Sequence, residues 1–253
     1  MKIVVIGGTG LIGSKVVSTL NSLGHQVIAA APSTGINTIT GEGLAAAMEG
    51  TQVVVDLANS PSFEDQAAMD FFLTAGKNLI ATEIAAGVGL HVALSVVNTE
   101  RLLDAGYFRA KLVQETLIRN SPIPYTLLHA TQFMEFLRGI ADEATRDDGV
   151  HLSHAFIQPI AARDVATAVV EAVLAPAANR TIEIGGPEKF HLDELIACVL
   201  EHDKDSREVV TDPDARYFGI HLSENSLIPG PDARLGATSF DRWISDVPPP
   251  PKR

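Results

Sequence analysis

Tyr107 and Lys111 are the two side chains of this 253-residue chain whose types and spacing best suit proton transfer. They open a predicted helix over residues 104–118, and residues four apart lie on one face of a helix. A phenol with a pKa of about 10 is a poor acid at neutral pH, but a neighbouring ammonium group favours the phenolate and lowers that pKa. We therefore expect Tyr107 to exchange a proton with a carbonyl or alcohol oxygen.

A serine precedes this pair at the end of a predicted strand. Residues 91–95 form the strand, and Ser95 lies at its carboxyl end. A hydroxyl placed there would hold a substrate oxygen as a preorganised donor. We therefore predict that Ser95, Tyr107 and Lys111 form a catalytic set, although a solvated helix face is the simpler interpretation of the Tyr–Lys spacing alone.

Three glycines near the start of the chain predict a phosphate-binding turn. An apolar run over residues 3–6 is followed by Gly7, Gly10 and Gly13 and then by apolar positions at helical spacing. The first glycine allows a sharp turn, the second a close approach to a pyrophosphate, and the third tight packing of the helix on the sheet. The helix start offers unpaired N–H groups to the phosphates. The predicted dinucleotide contacts are Gly7, Thr9, Gly10, Leu11, Ile12 and Gly13.

The carboxyl ends of later strands supply the remaining candidate contacts, because ligands of a doubly wound sheet bind at those ends. They are Ala58, Asn59 and Ser60 after a strand over 53–57, and Thr131 and Phe133 after a strand over 123–129. Lys111 is also expected to bind the ribose hydroxyls on the nicotinamide side.

The segment after the second predicted strand, residues 26–31, bears on the choice of cofactor. An acidic residue there favours a free ribose 2′-hydroxyl. The chain instead continues through Pro32, Ser33 and Thr34. We therefore expect NADP(H) to be favoured over NAD(H), with Ser33 and Thr34 donating to the 2′-phosphate. The alternative is that both are ordinary turn residues.

Strands alternating with helices predict an α/β fold, a Rossmann-type doubly wound parallel sheet. We assign residues 1–204 to this NAD(P)-binding domain, with 131–150 contributing to the substrate side. Apolar residues continue through 205–245, which we predict to be a small C-terminal annex or lid on the substrate side. Residues 246–253, rich in proline, are expected to form a mobile tail.

The formal net charge of −12 makes nucleic acid and anionic membrane surfaces improbable partners. No stretch has the length and apolar character of a membrane span or a signal peptide, so we expect a cytoplasmic protein. The single cysteine, Cys198, is predicted to be a core residue. We expect no metal site, because His151, His154 and Asp164 have simpler structural interpretations.

Several of these residues together resemble the short-chain dehydrogenase/reductase superfamily. They are the Gly-Gly-Thr-Gly-Leu-Ile-Gly run at 7–13, Ser95, and the Tyr107 and Lys111 pair. The short loop after the second strand and the Pro-Ile-Ala-Ala-Arg-Asp-Val-Ala run at 159–166 are similar to its atypical NmrA-like branch. The resemblance implies a nicotinamide cofactor and a Ser-Tyr-Lys site. Many members of that branch lack the tyrosine and sense redox state or reduce quinones.

The combined features favour an NAD(P)H-dependent oxidoreductase that acts on a small, fairly apolar carbonyl, the matching alcohol or a quinone. A non-catalytic NAD(P)-sensing regulator of the NmrA-like type is the alternative. Sugar-nucleotide epimerase or dehydratase chemistry is a third, less favoured because the annex is small for a bulky substrate. We also expect a homodimer to be possible.

Overall fold

The computed structural model describes residues 1–249, and strands alternate with helices along the first half of this part. Apolar runs form the strands, and segments with apolar residues at helical spacing form the longer helices. The strands are β1 (Lys2–Ile6), β2 (Gln26–Ala30), β3 (Val53–Asp56), β4 (Leu90–Val96) and β5 (Tyr125–Ala130). The helices are α1 (Gly13–Ser22), α2 (Leu44–Met48), α3 (Asp65–Ala86) and α4 (Gly106–Arg119).

Further helices and strands follow β5. The helices are α5 (Leu137–Glu143), α6 (Ala162–Leu174), α7 (Leu192–Asp203) and α8 (Phe240–Asp246). The strands are β6 (Thr145–Arg146), β7 (Gly149–Leu152), β8 (Phe156–Ile157), β9 (Thr181–Gly185), β10 (Phe190–His191), β11 (Val209–Thr211), β12 (Arg216–Tyr217), β13 (Ile220–His221) and β14 (Arg234–Leu235).

Seven strands form one parallel sheet in the order β14-β9-β5-β4-β3-β1-β2, flanked by helices. The predicted α/β class and parallel sheet are confirmed. In the register of the sheet, Ile6 at the end of β1 lies opposite Ala30 of β2 and Asp56 of β3. The chain therefore leaves these three strands at one edge, where the candidate cofactor contacts were predicted.

Two compact units divide the chain differently from the predicted domains. The first contains residues 1–129 and 165–182, and the second contains residues 130–164 and, within the described part of the chain, 183–249. Of the residues that we assign to the NAD(P)-binding domain, 130–164 and 183–204 lie in the second unit, and they include 131–150, which we predict to contribute to the substrate side.

The second unit has a hydrophobic cluster of its own. Tyr217, Leu227 and Trp243, from the predicted annex at 205–245, pack in this cluster together with Met134 and Leu137. The apolar residues of the annex are therefore part of a larger core, because residues after β5 supply the rest of it.

Two further predictions concern Cys198 and the C-terminal end of the chain. Cys198 is exposed on α7, so the prediction that it is a core residue is wrong. Of the predicted tail, Asp246 ends α8 and residues 250–253 lie outside the described part of the chain. Within residues 1–249, none of the helices has the length and apolar character needed to cross a membrane.

Candidate functional site

The turn between β1 and α1 is closed by contacts that leave no room for larger residues. Gly7 has a φ of +71°, and its carbonyl accepts a hydrogen bond of 3.0 Å from the Gly10 N–H. A Cβ on Gly13 would lie 2.1 Å from the Gly7 oxygen. The glycines at 7 and 13 are therefore required by the backbone itself.

The start of α1 suits an anionic ligand. Thr9, Gly10 and Leu11 are exposed in front of it, whereas Ile12 and Gly13 are buried. Its first turn carries no acidic side chain, so nothing there opposes the positive end of the helix dipole. These residues fit a dinucleotide pyrophosphate, and such a group would be held by the backbone N–H groups of the turn.

Thr34 has a local role after β2. Its hydroxyl lies 2.9 Å from both the Ala29 and Ala31 carbonyl oxygens, and it accepts the Ala31 N–H at 3.0 Å. The turn interpretation of Thr34 therefore has direct structural support, and a hydrogen bond to a phosphate would compete with these contacts. Ser33 is exposed beside it.

Asn59 and Tyr107 come together at the carboxyl edge of the sheet. Asn59 follows β3, and its Oδ1 accepts a hydrogen bond of 3.0 Å from the Tyr107 hydroxyl, at the start of α4. The same amide oxygen accepts the Ser60 N–H at 3.0 Å. Ala58 is half-buried in this segment and Ser60 is buried. A predicted cofactor contact and the predicted proton donor are thus neighbours.

The acid–base character of Tyr107 differs from the prediction. Its half-buried ring packs against Phe72 and Phe108, with ring centroids 6.0 and 5.6 Å away. Burial raises the pKa of Tyr107 above its ordinary value, so the expected lowering of this pKa by Lys111 is wrong. A phenol in this environment is protonated at neutral pH and is a weaker acid than an exposed tyrosine, so it can donate its proton only to an oxygen that develops negative charge.

Lys111 is buried and has its own partners. Its Nζ donates to the Leu94 carbonyl at 2.9 Å and to Oε1 of Gln114, and it lies 4.7 Å from the centre of the Phe72 ring. Gln114 in turn donates to Asp56 Oδ2 at 2.6 Å. These bonds tie the ammonium group to β4 and, through Gln114, to β3.

Burial lowers the pKa of Lys111 to about 8, although the carboxylates of Asp56 and Glu115 oppose that shift. The cation is therefore only partly retained at the upper end of the physiological pH range.

Ser95 lies in β4 near its carboxyl end, as predicted, but its hydroxyl already has a partner. It donates a hydrogen bond of 2.5 Å to Glu115 Oε1, and both residues are buried. The proton that was expected to hold a substrate oxygen is thus directed to a carboxylate of α4. Ser95 joins a strand to a helix in this structure.

Glu115 is a further polar residue of the site and was not predicted as one. Besides Ser95 it contacts His129 Nε2 at 2.9 Å and Arg119 at 3.0 Å. Burial alone would raise the pKa of Glu115, but the hydrogen bonds and positive charges around it outweigh burial and lower the pKa. The available signal was its spacing, because positions 107, 111 and 115 follow one another at intervals of four on one helix face.

Thr131 and Phe133 belong to the second unit. Thr131 is buried, its N–H donates to the Ile184 carbonyl at 3.0 Å, and its Oγ1 has no hydrogen-bond partner among the described residues. The Phe133 ring stacks on Phe136 at 5.4 Å. Of these two side chains, that of Thr131 can therefore form a hydrogen bond with a ligand.

The three residues considered as metal ligands each have another partner. His151 contacts Asp148 at 2.8 Å, and His154 contacts Asp193 at 2.9 Å. Asp164 Oδ1 accepts the Thr238 hydroxyl at 3.0 Å. Within residues 1–249 there is no group of three or more His, Cys, Asp or Glu side chains that could hold a metal ion.

Comparison with known proteins relates the start of the chain to nucleotide-dependent enzymes. Residues 3–87 match the model of the NAD dependent epimerase/dehydratase family. A curated relative, the photosystem II assembly factor Ycf39 of Cyanophora paradoxa, is 28% identical over 153 residues, which are 55% of this chain. The match covers 48% of that protein, so the chain spans about half its length.

Solved structures extend the likeness to almost the whole chain. A dTDP-4-dehydrorhamnose reductase from Clostridium acetobutylicum is 15% identical with a TM-score of 0.72, covering 97% of this chain and 99% of that one. A short-chain dehydrogenase/reductase superfamily protein from Agrobacterium tumefaciens with bound NAD is 17% identical with a TM-score of 0.71, covering 97% and 95%. The chain has a Rossmann-type fold. At these identities the likeness establishes the fold alone.

Proposed function

We propose that this chain is an NAD(P)H-dependent reductase that transfers a hydride to a small, fairly apolar carbonyl compound or quinone. The tight turn before α1 and the match of residues 3–87 support nicotinamide dinucleotide binding. The observation that carries the proposal is the 3.0 Å hydrogen bond between Tyr107 and Asn59 at the carboxyl edge of the sheet. It provides a proton donor next to the strand ends where a cofactor would lie.

Tyr107 acts as the acid in this proposal. When bound, the reduced nicotinamide supplies a hydride to the substrate carbon. The substrate oxygen gains the negative charge, and the neutral Tyr107 phenol donates its proton to it as the hydroxyl rotates away from Asn59. Solvent then returns a proton to Tyr107. Because burial keeps the phenol protonated at neutral pH, Tyr107 is in the state that can donate a proton, as reduction requires.

Ser95 and Lys111 have positioning roles in this version of the site. Ser95 attaches α4 to β4 through Glu115, and Lys111 attaches the same helix to β4 through the Leu94 carbonyl. Both bonds therefore fix the helix that carries Tyr107. This revises the predicted roles of the two residues without removing them from the site.

Replacement of Tyr107 by phenylalanine is the direct test. The variant keeps the aromatic packing and loses the proton, so turnover should fall by at least about a hundredfold. The dissociation constant of NADPH should stay within about threefold of the wild-type value. Steady-state oxidation of NADPH against a panel of quinones, aldehydes and ketones measures the first quantity, and nicotinamide fluorescence measures the second.

Tyr125→Phe is the matched control, because Tyr125 begins β5 and so lies at the opposite end of its strand from the candidate site. It should leave turnover unchanged. If Tyr107→Phe retains wild-type turnover, Tyr107 has no part in the reaction.

We also propose a preference for NADPH, supported by the lack of an acidic side chain in the segment after β2 and by the exposed Ser33. Ser33→Asp places a carboxylate beside the expected 2′-phosphate and should weaken NADPH binding roughly tenfold. Binding of NADH should change much less. Equal effects on both cofactors, measured with Ser33→Asn as the neutral control, would remove Ser33 from the 2′-phosphate site.

A non-catalytic NAD(P)-sensing protein of the NmrA-like type is the second candidate. The internal bonds of Ser95 and Lys111 favour it, because neither group has the orientation expected of a Ser-Tyr-Lys set. Tight cofactor binding without turnover on the whole panel would support this candidate.

Sugar-nucleotide chemistry is a third candidate. It is favoured by the match to the epimerase/dehydratase model and by the likeness to a dTDP-4-dehydrorhamnose reductase. Adding dTDP- and UDP-hexoses to the same panel tests it.

A further inference from the structure

The Phe63 ring stands exposed beside the proposed proton donor. Phe63 is 61% exposed. Its ring centroid lies 5.2 Å from that of Tyr107, and the two ring planes are inclined by 50°. Aromatic rings usually gain free energy by leaving water. An exposed ring at this position therefore offers an apolar contact that a ligand can use.

Two further rings contact Tyr107, those of Phe72 and Phe108. Phe72 is 1% exposed and Phe108 is 6% exposed, so both contribute to the interior. Of these three rings in the described part of the chain, Phe63 is therefore the one that is largely exposed.

Bonds on both sides of Phe63 hold its segment in place. On one side, the buried Ser60 donates to the Ser62 carbonyl at 2.7 Å. On the other side, Asp65 accepts the Gly106 N–H at 2.9 Å and pairs with Arg109 at 2.6 Å. Gly106 and Arg109 belong to α4, which also carries Tyr107. The same bonds therefore position the exposed ring and the proton donor relative to each other.

We propose that Phe63 is the platform on which the flat ring of a conjugated carbonyl substrate stacks while Tyr107 donates to its oxygen. Offset or inclined aromatic contacts of this kind discriminate planar rings from saturated ones of the same size. The substrate class is then an aryl aldehyde, aryl ketone or quinone. This inference rests on the proposed reductase function, because it names the substrate class of that site.

A pair of substrates matched in size tests the platform. Benzaldehyde and cyclohexanecarbaldehyde differ mainly in the planarity of the ring. Phe63→Leu should raise KM for benzaldehyde roughly two- to tenfold, with KM for cyclohexanecarbaldehyde and kcat for both nearly unchanged. Phe63→Tyr keeps the ring and should retain the wild-type preference. Equal changes for both aldehydes, or no change for either, would overturn the proposal.

A binding measurement separates this proposal from the reductase function. Benzamide and cyclohexanecarboxamide are titrated into NADP⁺-loaded protein and followed by ligand-observed NMR. Wild type should bind benzamide several-fold more tightly, and Phe63→Leu should lose that difference. Failure of wild type to bind benzamide, or an unchanged difference in the variant, would overturn the platform. Selective benzamide binding without turnover on any carbonyl would instead contradict the reductase function alone.

Discussion

Tyr107 and Lys111 lie one helical turn apart, and burial shifts their pKa values in opposite directions. The Tyr107 phenol has a raised pKa and stays neutral, while the buried Lys111 ammonium has a pKa lowered to about 8. In both residues burial favours the uncharged form. At neutral pH the site therefore holds a protonated phenol and, one helical turn away, an ammonium group with a pKa of about 8.

Lys111 should give the stability of the protein a specific pH dependence. Its pKa is about 8 in the folded chain and about 10.5 when exposed. Below about pH 8 both states carry the proton. Between these values the unfolded chain binds more protons, so the contribution of Lys111 to the free energy of unfolding rises with pH. Chemical denaturation of wild type and Lys111→Met from pH 7 to 10.5 measures this slope.

Lys77→Met is the control, because Lys77 is exposed on α3. The wild-type slope should persist in Lys77→Met and become smaller in Lys111→Met. Identical slopes in the two variants would show that Lys111 is not titrating in this range.

At the scale of elements, α4 is attached to its neighbouring strands by polar bonds as well as by apolar packing. Ser95 of β4 and His129 of β5 both contact Glu115. A buried carboxylate with several partners is costly to remove, because its partners are left unpaired.

Glu115→Gln should therefore destabilise the fold by about 3 kcal/mol. Because the pKa of Glu115 is lowered in the folded chain, its contribution is present at neutral pH and is lost as the pH falls through the folded-state value. Urea unfolding at pH 7 measures the effect. Glu100→Gln removes an exposed ion pair with Arg101 at 3.9 Å and should cost less than about 1 kcal/mol. Similar losses in both variants would contradict a special role for Glu115.

The strands and helices of the first unit were predictable because their signals are local. The apolar run before Gly7 predicts β1, and the spacing of apolar residues predicts α1 and α4. Each signal lies within the element that it predicts. The partners of Ser95 and Lys111 were not predictable in this way. They depend on which side of β4 faces α4 and on which rotamer a buried lysine adopts, and both are decided by packing between elements distant in sequence.

In the second unit, too, contacts between elements distant in sequence could not be predicted from local patterns. Its hydrophobic cluster combines residues 130–164 with residues after 183, separated by α6 in the other unit. The apolar residues at 205–245 indicated a packed region, but local patterns could not identify Met134 and Leu137 as part of its core.

The net charge of −12 adds a further constraint on the whole molecule. An anionic dinucleotide is repelled at long range by such a protein. The dinucleotide must therefore be bound through short-range contacts. We expect the backbone N–H groups at the turn before α1 to provide them by donating to the pyrophosphate.

Titration of NADPH into wild type, Leu11→Asn and Leu11→Asp, followed by nicotinamide fluorescence, tests whether the turn before α1 binds the pyrophosphate. Leu11 is 41% exposed at the turn, so both substitutions should be compatible with folding, and only the aspartate adds a negative charge beside the pyrophosphate. We expect similar binding by wild type and Leu11→Asn, and at least about tenfold weaker binding by Leu11→Asp. Equal affinity of the two variants, or no binding by wild type, would contradict this expectation.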